Sequence, residues 1–246
     1  MTYCVGLRLQ SGLVMLADTR TNAGVDNIAT FCKLHVVEIP GERMICLATA
    51  GNLAITQAVV NLVSEGFESV DSGQMETLAK APTMFRAAQI VGEAVRKVYE
   101  LNGEAMRAQQ VGFDVALLLG GQIEGRSIRL FQVYSAGNFI EATEDTPFLQ
   151  IGEHKYGKPI LDRAAHYDTD LYDAIKLVLV SMDSTLRSNL TVGMPVDLLV
   201  YKKDALVVDI RRRIGEDDPY FRKLREQWST ALREAYLAIP RPDWAS

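Results

Sequence analysis

Residues 2–18 read TYCVGLRLQSGLVMLAD, in which two apolar runs are separated by a Gln-Ser-Gly segment. Apolar runs of this length joined by turn-forming residues are typical of a β-hairpin. We therefore predict that the chain opens as a hairpin, with strands over residues 3–9 and 13–18. Thr2 would then stand at the beginning of the first strand, and Asp18 would end the second.

Beyond the hairpin, the chain alternates between strand and helix patterns. Residues 28–39 and 44–50 are strand-like apolar runs, and a helical pattern starts after Gly51, where Asn52 is available as the cap. The same two periods recur in the rest of the chain. They predict further helices over residues 83–102, 156–165 and 171–186, and further strands over 115–119, 128–134, 196–201 and 206–210.

This order of elements indicates two sheets packed face to face, with pairs of helices on the outside. We predict an α+β fold of this kind, a four-layer αββα sandwich, over residues 1–214. With 48% hydrophobic residues, the chain has enough apolar material to fill the core of one such domain.

Residues 215–246 are predicted to form a helical extension. Asp217 and Asp218 can cap a helix, and Pro219 suits its first turn. The extension carries an apolar stripe that must be buried, either on its own domain or on a neighbouring subunit. The stripe consists of Phe221, Leu224, Trp228, Leu232 and Tyr236.

Composition restricts the class of protein. The net charge of −5 argues against a nucleic-acid partner, because proteins that bind phosphates concentrate Lys and Arg. We find neither a leader segment nor an apolar run long enough to cross a bilayer, so we expect a cytoplasmic protein without membrane contact. Cys4, Cys32 and Cys46 lie in apolar runs and are predicted to be reduced core thiols, with no metal site and no cofactor.

Thr2 is the first candidate for chemistry. Removal of Met1 would leave Thr2 with a free α-amino group, which titrates near roughly 7.7–8.0. The neutral amine can take the proton of the threonine hydroxyl, so that one residue serves as both nucleophile and base. A small second residue is also explained by ordinary N-terminal processing, and the interpretation therefore depends on its neighbours.

Asp18 and Lys33 are the expected neighbours. A three-residue turn in the hairpin would pair Cys4 with Asp18 and place Asp18 diagonally beside Thr2, whereas a two-residue turn would move it to the opposite face. Lys33 lies in an apolar run, where an ammonium needs an anion such as Asp18. Its charge would lower the pKa of the Thr2 hydroxyl and amine. The alternative is an edge lysine with an exposed head.

Gly51 ends an apolar strand directly before a predicted helix. Backbone N–H groups at such a point lack helical acceptors and can bind an oxyanion. A glycine leaves room there for a scissile carbonyl, although an ordinary turn glycine would explain the residue equally simply. With Thr2, Asp18 and Lys33, it completes a candidate acyl-transfer site.

These segments resemble the proteasome β-subunit superfamily of N-terminal-nucleophile hydrolases, through the Thr-initiated strand, ADTR at 17–20, Lys33 and TAGN at 49–52. The stretches MTYCVG, DTRTNAGVD and GEHKYGKP are similar to the bacterial Anbu family of proteasome homologues, and the resemblance covers nearly the whole chain. It implies a threonine-type peptidase in which Thr2 is the nucleophile, Asp18 and Lys33 are the charged pair beside it, and Gly51 is an oxyanion donor.

Two positions depart from the proteasome pattern. Proteasome subunits carry a serine after the glycine that matches Gly152, but this chain has Glu153. They also carry an aspartate and a serine in the segment that matches residues 187–193, which here reads RSNLTVG and has no aspartate. The Thr2 amine would then be held by hydroxyls and an amide of this segment, with Ser188 and Thr191 among the candidates, and we expect weak or narrowly selective peptidase activity.

The resemblance also implies self-assembly into a homo-oligomer that encloses its active sites and admits a peptide or an unfolded protein. The chain has no Walker-type phosphate loop, so any ATPase partner would be a separate protein. Two alternatives remain at this stage. One is an amidase that acts on a small amide with the same threonine chemistry, and the other is a proteasome-like scaffold with vestigial machinery.

Overall fold

The computed structural model describes residues 2–22, 27–70 and 73–244, and within these ranges it contains fourteen strands and five α-helices. The strands are β1 (Tyr3–Arg8), β2 (Gly12–Asp18), β3 (Arg20–Asn22), β4 (Ile28–Thr30), β5 (Leu34–Ile39), β6 (Arg43–Gly51), β7 (Phe67–Glu68), β8 (Met75–Glu76), β9 (Val115–Ile123), β10 (Arg129–Val133), β11 (Phe139–Glu141), β12 (Phe148–Gly152), β13 (Val196–Lys202) and β14 (Ile210–Ile214). The helices are α1 (Leu53–Glu65), α2 (Met84–Ala108), α3 (Lys158–Ala164), α4 (Leu171–Ser188) and α5 (Pro219–Ala238).

Ten of these strands form two five-stranded antiparallel sheets. The first sheet has the order β12-β1-β2-β13-β14, and the second has the order β11-β10-β9-β6-β5. The N-terminal strand therefore lies inside the first sheet, with a hydrogen-bonded neighbour on each side. This position holds the start of the chain in place.

Alternating side chains divide the core into layers. Met15 and Leu118 belong to the cluster between the two sheets, whereas their neighbours Val14 and Leu119 point to the helices outside. Helices α1 and α2 cover the second sheet, where Val91 is fully buried, and α3, α4 and α5 cover the first. The predicted four-layer αββα sandwich is confirmed.

Local signals explain where the helices begin. The side chain of Asn52 accepts hydrogen bonds from the N–H groups of Ala54 and Ile55, as a cap does at a helix N-terminus. Asp218 caps α5 in the same way, and Pro219 occupies its first turn. None of the helices in the described ranges is long and apolar enough to cross a membrane.

The hairpin register differs from the prediction. Backbone hydrogen bonds of 2.9 and 3.4 Å close a two-residue turn, and Cys4 pairs with Ala17 instead of Asp18. The predicted three-residue turn was therefore wrong. Asp18 nevertheless reaches the beginning of β1, because it is the last residue of β2 and its carboxylate accepts a hydrogen bond from the N–H of Tyr3 (3.1 Å).

Other segments also differ from their predicted course. Residues 28–39 form two strands, because the chain leaves the small β3–β4 sheet at residues 31–33 before it joins the second large sheet. Strands β11 and β12 were not predicted, because they are short and are held by pairing with β10 and β1. The predicted strand over 206–210 was wrong: Asp204 and Leu206 have φ angles of 63° and 52°, and the strand starts only at Ile210.

The thiols divide into two kinds. All three cysteines are free, and Cys4 and Cys46 are buried as predicted. Burial raises the pKa of Cys4, and it raises the pKa of Cys46 to about 12. Cys32 is exposed, which contradicts its predicted core position, because residues 31–33 cross between sheets instead of continuing a strand.

The C-terminal helix α5 docks on its own domain through its first half. Phe221 is fully buried and Leu224 nearly so, in the same cluster as residues of α4. Arg225 donates to the buried carboxylate of Asp183 on α4 (2.6 Å). The second half of the predicted stripe is exposed, with Leu232 51% accessible.

The variant Phe221→Ala tests whether the first half of α5 belongs to the core of the domain. We expect the free energy of unfolding to fall by about 3–5 kcal/mol, because a fully buried aromatic ring is replaced by a cavity. Leu232→Ala, on the exposed half of the same helix, should cost less than about 1 kcal/mol. Urea denaturation measures both, and equal losses would contradict the docking described here.

Candidate active site

Thr2 lies directly before β1, and β12 holds it from one side. Thr2 is 8% exposed, and its carbonyl accepts a hydrogen bond from the N–H of Glu153 (2.6 Å). Tyr3 pairs with Gly152 in the sheet ladder. Met1, whose removal is predicted, lies outside the described residues.

Lys33 contacts the Thr2 hydroxyl. Its ammonium donates to Thr2 Oγ1 (2.7 Å), to Asp18 Oδ1 (2.8 Å) and to the carbonyl oxygen of Arg20 (2.6 Å). An ammonium has three donors, and all of them are used here. The Lys33 residue is only 4% exposed, so the alternative of an edge lysine with an exposed head is wrong.

Asp18 is the fully buried anion that pairs with this ammonium. Its carboxylate also accepts hydrogen bonds from the N–H groups of Tyr3 (3.1 Å) and Gly193 (3.3 Å). Burial raises the pKa of Asp18, and the Lys33 charge together with these N–H donors opposes that rise. The ionised carboxylate therefore depends on Lys33.

Two glycines let backbone segments approach each other closely around Thr2. Gly152 has a φ of 82°, and a Cβ there would lie 2.0 Å from the carbonyl oxygen of Thr2. Gly51 has a φ of 109°, and a Cβ there would lie 2.3 Å from the carbonyl oxygen of Asp114. The close approach of the Asp114 carbonyl is by itself a reason for glycine at position 51.

Thr2, Lys33 and Gly51 line one cavity of about 410 Å³, while Asp18 is buried behind Lys33. The cavity wall carries charges of both signs, from Arg20 and Asp114. The remaining lining residues are Thr21, Asn22, Thr49, Ala50, Leu53, Thr56, Ala116 and Gly152. In the part of the chain that the structure describes, no group of three or more His, Cys, Asp or Glu residues is placed to hold a metal ion.

Ser188 and Thr191, the predicted supports for the amine, lie outside this lining. Ser188 is exposed at the end of α4. The hydroxyl of Thr191 donates to Oδ1 of Asn189 (2.6 Å), whose Nδ2 in turn donates to the carboxylate of Glu153 (2.7 Å). Thr191 is therefore connected to Thr2 only through other residues.

Sequence reasoning missed several contacts of the site, among them those of the Gly193 N–H and the Arg20 carbonyl and the Glu153–Asn189 hydrogen bond. The Gly193 and Arg20 groups belong to the backbone, which side-chain patterns do not reveal. Glu153 and Asn189 were each noticed as departures from a family pattern, but 36 residues separate them, and nothing in the sequence indicates that they meet.

The fold and the site define a proteasome-type subunit, and comparison with known proteins agrees. Residues 2–200 match the family model described as "Proteasome subunit". No curated protein matches the chain. Among the solved structures that match it, several extend over nearly its full length and carry the name Anbu.

A mutant Anbu from Hyphomicrobium sp. strain MC1 has 55% sequence identity and a TM-score of 0.90, with 99% of this chain and 100% of that chain covered. Anbu from Yersinia bercovieri, described as an ancestral β-subunit, has 48% identity and a TM-score of 0.89, with 98% and 99% covered. Anbu from Pseudomonas aeruginosa, described as a helical assembly, has 43% identity and a TM-score of 0.90, with 99% and 100% covered. The chain therefore belongs to the proteasome subunit family and, within it, to the Anbu family.

Lys33→Met tests the dependence of Asp18 on its cation. We expect a loss of about 3–5 kcal/mol in the free energy of unfolding at pH 7, because a buried carboxylate is left without its partner. Burial without Lys33 would raise the pKa of Asp18 in the folded state above its unfolded value. The folded variant then gains a proton as the pH falls, so its deficit against wild type should shrink between pH 7 and about 4.

The double variant Asp18→Asn with Lys33→Met serves as the control for this experiment. It removes both charges, so most of the loss caused by Lys33→Met should be recovered at pH 7. Urea denaturation at the two pH values measures all three proteins. A double variant as unstable as Lys33→Met would show that the ion pair is not the cause.

Proposed function

We propose that the protein is a threonine-type peptidase, in which removal of Met1 exposes Thr2 as the nucleophile. The observation that carries this proposal is the 2.7 Å hydrogen bond from Lys33 Nζ to Thr2 Oγ1 inside a cavity. A cation that donates to the hydroxyl oxygen stabilises the negative charge that develops when the proton leaves. Asp18 keeps that cation charged and oriented.

The reaction follows from these roles. Thr2 Oγ1 attacks the carbonyl carbon of a peptide bond, and its proton passes to the α-amine directly or through one water molecule. The N–H of Gly51 stabilises the negative oxygen of the tetrahedral intermediate. When the intermediate collapses, the C–N bond breaks, the departing amine takes the proton from the Thr2 ammonium, and an ester remains on Oγ1. Water then hydrolyses this ester and regenerates the threonine.

The closing test uses the intact mass of the protein purified from its source, before and after treatment with an electrophile selective for N-terminal threonine. We expect a mass without Met1 and a single adduct. Thr2→Ala should abolish the adduct and lower kcat/KM on a fluorogenic peptide on the order of 10³-fold or more. Thr230→Ala, an exposed threonine on α5, is the matched control and should behave as wild type.

Retention of Met1 together with the absence of an adduct would contradict the proposal. A panel of small amides run beside the peptide panel identifies the substrate class. Hydrolysis restricted to the small amides would replace the peptidase by an amidase that uses the same threonine.

We further propose that the chain assembles with copies of itself and takes a peptide or an unfolded protein as substrate, with any ATPase as a separate partner. The description of the Pseudomonas aeruginosa relative as a helical assembly supports self-assembly. The exposed apolar residues on the outer half of α5, such as Tyr236 and Leu237, are consistent with it. Sedimentation velocity at micromolar concentration should show species larger than the 27.2 kDa chain; a lone monomer would contradict assembly.

A further inference from the structure

Glu153 follows Gly152 at the end of β12 and is 5% exposed. Its N–H donates to the Thr2 carbonyl, while its carboxylate accepts from the N–H of Lys155 (2.8 Å) and from Nδ2 of Asn189 (2.7 Å). Burial acts to raise the pKa of Glu153, but the donors on Lys155, Asn189 and His154 bring it below the ordinary value. Glu153 is therefore a buried anion one residue away from the sheet partner of Tyr3.

Asn189, at the C-terminal end of α4, donates a hydrogen bond to this carboxylate. Its Oδ1 accepts from both the N–H (3.0 Å) and the hydroxyl (2.6 Å) of Thr191. Because Oδ1 already has two donors, the amide nitrogen must be the group that faces Glu153, and it needs an acceptor there. The orientation of Asn189 and the charge of Glu153 thus require each other.

The loop that begins at Asn189 leads directly to Thr2, Asp18 and Lys33, which together are called the Thr2 array. Gly193, four residues on, donates its N–H to Oδ2 of Asp18. Asp18 accepts from Lys33, and Lys33 donates to the Thr2 hydroxyl. Since Glu153 donates its N–H to the Thr2 carbonyl, a closed circuit of contacts runs from Thr2 through Glu153, the 189–193 loop, Asp18 and Lys33 back to Thr2.

The two departures from the proteasome pattern therefore meet in space. Glu153 stands where the proteasome pattern has a serine, and its carboxylate accepts from Asn189, which lies in the segment 187–193 that has no aspartate. We propose that Glu153 is a positioning residue which supplies from β12 the carboxylate that residues 187–193 lack, and so holds the 189–193 loop and the Thr2 array in place. The inference rests on the proposed role of Thr2 as nucleophile.

A charge exchange tests this role. In Glu153→Gln, one amide oxygen must accept from several N–H donors, and the new amide nitrogen faces another donor. We therefore expect kcat and the rate of Thr2 labelling to fall at least about tenfold, while KM stays within about twofold. Asn189→Asp sets two carboxylates against each other and should lose as much. In the double variant, the introduced amide donates to the introduced carboxylate, which still accepts from Thr191, and activity should return to within about threefold of wild type.

Hydrogen exchange supplies a readout that does not need catalysis. At a temperature where all four proteins are folded, each single variant should exchange faster both at residues 189–193 and at the beginning of β1, where Tyr3 N–H contacts Asp18, and the double variant should restore both. Should Glu153→Gln fail to fold, the comparison of Asn189→Asp with the double variant carries the same test.

The outcomes separate the two proposals. A double variant that is no better than the single variants, or faster exchange confined to residues 189–193, would overturn the role of Glu153. Unchanged kcat in Glu153→Gln would overturn it as well. If the wild type neither labels at Thr2 nor cleaves peptides, the proposed function fails, while recovery of protection in both segments still supports Glu153 as the residue that holds the array.

Discussion

The buried ammonium of Lys33 is the constraint on which the site depends. A charge with so little access to water is stable only if each of its donors has an acceptor, and the three acceptors come from different segments: Thr2, Asp18 and the carbonyl of Arg20. Their convergence requires the start of β1, the end of β2 and the start of β3 to lie together. The N-terminal hairpin and the single residue, Thr19, that connects it to β3 satisfy this requirement.

The same constraint explains why the chain departs from regular structure near the site. Lys33 lies in the short segment between β4 and β5, where its side chain can reach the end of the first sheet while its carbonyl still accepts from the N–H of Thr49 (3.0 Å) in the second. The Tyr3 N–H donates to a side chain at the end of β2. The αββα sandwich therefore supplies the frame, and the ion pair accounts for the irregular backbone at its edge.

Much of the fold could be predicted because it depends on periodicity and on local signals. The apolar runs of β2 and β6, the helical spacing of α2 and the caps at Asn52 and Asp218 are properties of short segments. The hairpin register could not be derived with the same security, since a single residue in the turn shifts every pair. Strands β11 and β12 escaped notice because they are held by pairing with β10 and β1, which no local pattern records.

The candidate site also contains some residues that the sequence predicts and others that it does not. Thr2, Asp18 and Lys33 could be brought together by asking what a nucleophile and a buried charge require. The sequence led us to expect the groups that hold the Thr2 amine within one segment, with Ser188 and Thr191 among them. The group that contacts this segment is a carboxylate from another strand, and only the folded chain brings the two together.

The hydrogen bond between Glu153 and Asn189 changes how the sites of relatives can be compared. The carboxylate of Glu153 is the acceptor and the amide nitrogen of Asn189 is the donor, so each residue needs the other. A comparison made one position at a time would count two lost residues here. If the two positions are compared as a pair, they hold one carboxylate, Glu153, and the residue that donates to it, Asn189.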